Sequence, residues 1–306
     1  MALPDTPQQQ LDWEARHRSR ATLAAAFAAV AIVVGPLVES AIEAGAPSLP
    51  VLDALRKLAA PGTIYDQPTL QLPYGRYIAD HATELIAGRI VTGLGFIALT
   101  YAVTFLAAAV RARRPEFASW AFYLPIVSGV LFAVSWVALG VGRVIDANEV
   151  VDGAGTIGSV QDLGATGLSQ LSRVLLTPAA LALAVGIVLV SLNAMRAGLL
   201  TRFMGALGIV VGVFQVVQVG SSLPLVQTFW LGGLALLYAG RRPGGDPPAW
   251  RTGRAEPWPS AQQMAQQRKA EAEAGGTPAP GAPAEPERVP AGAHPASAKR
   301  KRKRRS

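Results

Sequence analysis

Glu39, Arg89, Arg143 and Arg173, with Gln215 and Gln218, are polar residues set in or beside long apolar stretches. Ionisable groups in such a setting are costly and normally face one another or a water-filled cavity. These six could line a polar cavity that admits a small solute or a lipid headgroup. They could equally be interfacial ion pairs and arginines whose alkyl stems lie in apolar surroundings while their charged ends reach water. Within the set, Arg143 and Arg173 are expected to face each other and to share Glu39 as counter-charge, because all three fall near the same end of their stretches.

Other chemistry is thinly represented. His81 and Glu84 stand at helical i, i+3 spacing and could share a metal or a proton, but an acid near a helix start is favoured by the helix dipole alone. The chain has three histidines and no cysteine, which excludes thiolate zinc sites, iron–sulfur clusters, disulfides and a cysteine nucleophile. The glycines of VDGAGTIGSV, residues 151–160, lack the lysine and the strand-to-helix setting of a phosphate loop. No cofactor and no metal site is expected.

The terminal run Lys299, Arg300, Lys301, Arg302, Lys303, Arg304 and Arg305 supplies all but one of the eight net positive charges. The basic balance is thus a property of one tail, and no nucleic-acid-binding domain is implied; no aromatic residues are interleaved to stack on bases. Following a membrane helix, the run could contact anionic lipid headgroups, each cation near the surface contributing about 1 kcal/mol, or an acidic partner. It could also be a solubilising terminus.

The elements that would position these groups are membrane helices. Hydrophobic residues make up 51% of the chain and charged residues 16%, against about 25% charged in soluble domains. Six apolar stretches approach the roughly 20 residues needed to cross a bilayer: Ala21–Ala44, Leu85–Val110, Trp120–Ile145, Leu171–Met195, Phe203–Ser222 and Leu223–Ala239. The fold class is therefore an all-α, polytopic helical bundle. Pro36, Pro125 and Pro178 fall inside spans and are tolerated where neighbours satisfy the freed carbonyls. Gly88, Thr92, Gly95 and Leu99 make one stripe, and Gly208-x-x-x-Gly212 another, both of the small-residue kind that brings membrane helices close.

Arginines sort the connections. Arg16, Arg18 and Arg20 precede the first span, Arg111, Arg113 and Arg114 follow the second, Arg196 and Arg202 join the fourth to the fifth, and Arg241 and Arg242 follow the sixth. The 146–170 connection has acids and no Lys or Arg. This alternation predicts both termini in the cytoplasm. Residues 1–20 then form a cytoplasmic segment, 21–240 the six-helix domain with a long outer loop at 45–84, and 241–306 a disordered tail rich in Pro, Ala and Gly. The first span is expected to stay uncleaved. Two short helices are possible outside the spans, at 51–60 in the loop and at 260–274 in the tail.

Residues 196–208, RAGLLTRFMGALG, resemble the cytoplasmic hairpin of a broad family of uncharacterised bacterial multi-pass membrane proteins. Gly198 would end one helix in a left-handed cap and Thr201 would cap the next. The resemblance implies a bacterial membrane protein and supplies no catalytic residues. The expectation is a non-enzymatic structural or accessory component of the inner membrane, its partner the lipid bilayer. A small-solute or lipid transporter with an outward-facing polar cavity is the alternative, and a membrane-embedded enzyme ranks last.

Overall fold

Helix formation begins earlier than the first apolar stretch. The Thr6 side chain accepts a hydrogen bond from the Gln9 amide at 3.3 Å, and Gln9 Oε1 accepts from the Thr6 amide at 3.3 Å. With Pro7 in the first turn, this reciprocal cap starts a helix that runs unbroken from Pro7 to Gly45. Residues 7–20, expected as a segment apart from the first span, are therefore part of the same 39-residue helix.

In this computed structural model, residues 6–48, 52, 53, 56, 67, 69–153, 155–157, 167–216, 224–242, 245–258, 265, 266, 269 and 270 are described. Among them the chain is helical, without strands: α1 Pro7–Gly45, α2 Leu72–Asp80, α3 Ala82–Arg113, α4 Ser119–Asp152, α5 Leu168–Arg196, α6 Arg202–Val216, α7 Leu225–Tyr238 and α8 Pro248–Thr252. Helices α1, α3, α4 and α5 are long and apolar enough to cross a membrane. The expected fifth and sixth spans correspond to α6 and α7, which are apolar but only 15 and 14 residues long. Residues 217–223, where those two spans were expected to meet, lie outside the described residues.

Large apolar side chains face outward along several helices, including Leu23, Val127 and Phe229. Inside, close contact is made by small residues, as it must be where lipid gives no hydrophobic drive between helices. A side chain at Gly35 of α1 would strike the Thr92 hydroxyl and sit 2.6 Å from the Gly88 carbonyl of α3. A Cβ added at Gly186 of α5 would lie 3.1 Å from the ring of Pro125 in α4. A Cβ added at Gly212 of α6 would lie 2.9 Å from the Ala184 carbonyl of α5, so the GxxxG spacing does serve packing. Successive neighbours α1, α3, α4, α5, α6 and α7 close into a circuit, with α7 returning to α1. Tyr238 at the end of α7 donates to the Ala102 carbonyl of α3 at 3.0 Å, and Trp230 donates to the Met204 carbonyl of α6 at 3.1 Å.

Two boundaries differ from the sequence expectation. The loop at 45–84 contains α2, where a Cβ added at Gly75 would lie within 3.4 Å of Val150 and of the Ala147 carbonyl of α4. Tyr74, Tyr77 and Ile78 give α2 an apolar face that packs with Leu85 and Ala147. Beside it, Thr69 donates to the Gly155 carbonyl at 2.6 Å and Ile157 to the Gln67 carbonyl at 2.9 Å, tying this loop to the one after α4. Most of the proposed helix at 51–60 lies outside the described residues.

The second difference is at the other terminus. A tail was expected from 241, but the compact unit runs to Trp258. The reason is local. Helix α5 ends at Gly198, φ 76°, where Leu199 donates back to the Ala194 carbonyl at 2.9 Å. The turn's own carbonyls are then satisfied from the C-terminal side: Trp250 Nε1 donates to Leu199 at 2.9 Å, the Glu256 amide to Ala197 at 3.1 Å and Trp258 Nε1 to Leu200 at 2.9 Å. Residues 245–258 thus form a strap across the α5–α6 turn. Residues 259–306 make a second unit, of which 265, 266, 269 and 270 are described, as helix; the remainder of the expected 260–274 helix and the whole 299–305 run lie outside the described residues.

Candidate functional site

Helix α1 meets α3 through Gly35, Gly88 and Thr92, and this close crossing sets Glu39 beside Arg89. Their ion pair measures 2.6 Å between Glu39 Oε2 and Arg89 Nη2, with side chains 10% and 11% exposed. The Arg89 guanidinium carbon lies 4.5 Å from the centre of the Trp136 ring, a cation–π arrangement. The arginine stem passes over Gly140 of α4, where an added Cβ would lie 3.0 Å from Arg89 Cβ and still nearer Cγ; glycine is what leaves room for it. The pair is held by the one close contact between Glu39 Oε2 and Arg89 Nη2. Glu39 Oε1, Arg89 Nη1 and Trp136 Nε1 are buried without a protein hydrogen-bond partner.

Arg143 sits one layer beyond. It pairs with Glu43 at 2.8 Å and donates to the Tyr74 hydroxyl of α2. Glu43 is half exposed. Asp146 accepts from the Ser169 hydroxyl at 2.6 Å. The expected sharing of Glu39 by Arg143 and Arg173 is therefore corrected. Arg89 takes Glu39 because α1 lies directly against α3. Arg143, nearly one turn past Gly140 on α4, is taken by Glu43 and by the tyrosine that α2 inserts. Arg173 is exposed on α5, without a carboxylate partner among the described residues. Gln215 is half-buried on α6, and Gln218 lies outside the described residues. The structure thus brings Glu39, Arg89 and Arg143 into one charged cluster and leaves Arg173 out of it. His81 Nδ1 contacts its own helix at the Tyr77 carbonyl, 2.9 Å away, and its ring stacks on Tyr77 at 4.2 Å. Among the described residues no group of three or more His, Asp or Glu converges as a metal site would.

A second charged centre lies at the opposite end of the bundle, and the sequence reading missed it. Arg113 at the end of α3 is buried completely, and Glu14 of α1 almost so. All five guanidinium N–H groups are used: Nη1 on Glu14 Oε1 and on the Ala109 carbonyl at 3.1 Å, Nη2 on Glu14 Oε2 at 3.0 Å and on the Ala249 carbonyl at 2.8 Å, and Nε on Ala249 at 3.3 Å. Gln10 donates to Glu14 at 2.6 Å. The ring of Trp250 lies 5.5 Å from the Arg113 guanidinium and 5.1 Å from that of Arg18, which pairs with Asp246 at 3.2 Å. Arg113 looked like one of several interfacial arginines; only the strap, by supplying the Ala249 carbonyl and the Trp250 ring, makes its burial possible.

No protein-family model, no curated protein and no solved structure matches this chain.

Proposed function

We propose that the chain is a non-enzymatic structural or accessory protein of a bacterial inner membrane, crossing six times with its N- and C-terminal segments in the cytoplasm. One observation carries this reading: the buried charges are engaged with one another across helices, Glu14 with Arg113 and Glu39 with Arg89. Ion pairs so placed staple α1 to α3 at both ends. The spans 203–222 and 223–239 supply the fifth and sixth crossings, and the arginine-rich end faces the cytoplasm. The likeness of residues 196–208 to bacterial multi-pass proteins belongs to the same proposal, as does contact of Lys299–Arg305 with anionic headgroups.

The cysteine-free sequence allows a clean test of topology. Cysteine introduced as Asp152→Cys should react with an impermeant maleimide on intact cells, whereas Ser119→Cys and Ala255→Cys should react only after permeabilisation. Labelling of Ala255→Cys from outside would overturn the orientation.

The transporter reading is favoured by the unpartnered Glu39 Oε1, Arg89 Nη1 and Trp136 Nε1, since a polar solute could engage them. Flux of radiolabelled small polar solutes into proteoliposomes separates the two. A static accessory protein leaves uptake at the level of empty vesicles; uptake that Glu39→Gln abolishes would establish transport.

A further inference from the structure

Five arginines crowd the α5–α6 turn. Arg196 ends α5, Arg202 begins α6, Arg241 follows α7, and Arg251 and Arg254 belong to the strap; all five are exposed. None forms an ion pair among the described residues. The hydrogen bonds from Trp250, Glu256 and Trp258 to the turn carbonyls gather the strap arginines to it. Arg242 Nη2 reaches Thr201 Oγ1 at 3.4 Å, which brings the end of α7 to the same place. Of the nearby acids, Asp246 is engaged by Arg18 at 3.2 Å and Glu14 by Arg113, and Glu256 forms no ion pair among the described residues, so the five arginines outnumber the one acid left to them.

Phe203 sets the depth of the cluster. It directly follows Arg202 and is 64% exposed, and the outward face of α6 continues with exposed Val210, Val213 and Phe214. This exposed apolar face is the part of α6 suited to hydrocarbon, and it starts at Phe203, so Arg202 stands at its border. The guanidinium groups beside it then lie at headgroup level, and the guanidinium fork matches phosphate oxygens two at a time.

We propose that the arginines around the α5–α6 turn bind the phosphates of anionic phospholipids in the adjoining leaflet. This rests on the reading of the chain as membrane-spanning and goes beyond it by placing lipid recognition on the folded turn, apart from the terminal basic run. A soluble anionic partner would leave the apolar border formed by Phe203 unused; a phospholipid engages both.

The test uses the full chain purified in detergent, with its unfolding midpoint measured in phosphatidylglycerol and in phosphatidylcholine mixed micelles. Phosphatidylglycerol should raise the midpoint by about 5 °C more than phosphatidylcholine does, as expected for ligand well above its dissociation constant, and salt should reduce the difference. Arg202→Gln with Arg254→Gln should remove at least half of it, and both sites are exposed, so the fold should persist. Lys at the same two positions should restore only part of it, since an ammonium supplies the charge without the two-oxygen fork. Glutamine at every position from Lys299 to Arg305 should leave it in place. Equal midpoints in the two lipids, an unchanged difference in the Arg202/Arg254 variant, or its loss only in the terminal-run variant would each overturn the proposal. Release of the chain from membranes by alkaline carbonate would instead overturn the membrane reading itself.

Discussion

The two ends of the bundle each carry a glutamate of α1 paired with an arginine of α3, yet the pairs are built differently. At one end Arg113 has all five donors occupied and is sealed by the strap, with Trp250 against it. At the other, Arg89 holds Glu39 through a single contact, while one donor and one acceptor of the pair are left without protein partners. The desolvation of a buried ion is offset only when the remaining hydrogen-bonding positions are also filled. Full occupation makes the Glu14–Arg113 centre a lock. Partial occupation makes the Glu39–Arg89 centre a weaker staple.

Breaking the lock should have the largest effect. Arg113→Met leaves Glu14 buried and unpaired, and should cost about 3–5 kcal/mol, read as a lowered unfolding midpoint in detergent. Trp250→Ala should follow, at about 3 kcal/mol for a buried tryptophan. Because the strap would then lose its anchor, limited trypsin digestion should cut faster after Arg251 and Arg254. Glu39→Gln should cost less, about 1–3 kcal/mol, since the pair forms one contact and glutamine keeps an acceptor. Arg143→Gln should be smallest, about 0–1 kcal/mol, because its Glu43 partner is half exposed. A loss at Arg143 as large as that at Arg113 would erase the distinction between a sheltered pair and a surface pair.

The helices were legible because each apolar stretch must satisfy its backbone internally, whatever surrounds it. The α5–α6 turn was legible for a similar reason: Gly198 adopts φ 76° and Thr201 Oγ1 accepts from the Met204 amide at 3.3 Å, as that short motif required. The pairing of charges was not legible, because it depends on which helices touch. Glu39 and Arg143 share one end of the bundle, but the Gly35–Gly88 crossing gives Glu39 to Arg89. The lock was hidden twice over. Glu14 stood outside the apolar stretch, in residues 1–20, read as a separate cytoplasmic segment, and the strap stood in a stretch read as tail. A signal was present there, since Trp250 and Trp258 are the last aromatic residues before a 48-residue stretch without Phe, Tyr or Trp, and the compact unit ends at Trp258.

The difference between the two centres is most directly measured by two double-mutant cycles in one detergent, Glu14→Gln with Arg113→Gln and Glu39→Gln with Arg89→Gln. Coupling should reach about 2–3 kcal/mol for Glu14–Arg113 and about 1 kcal/mol or less for Glu39–Arg89. Equal couplings, or a larger value for Glu39–Arg89, would contradict the assignment of lock and staple.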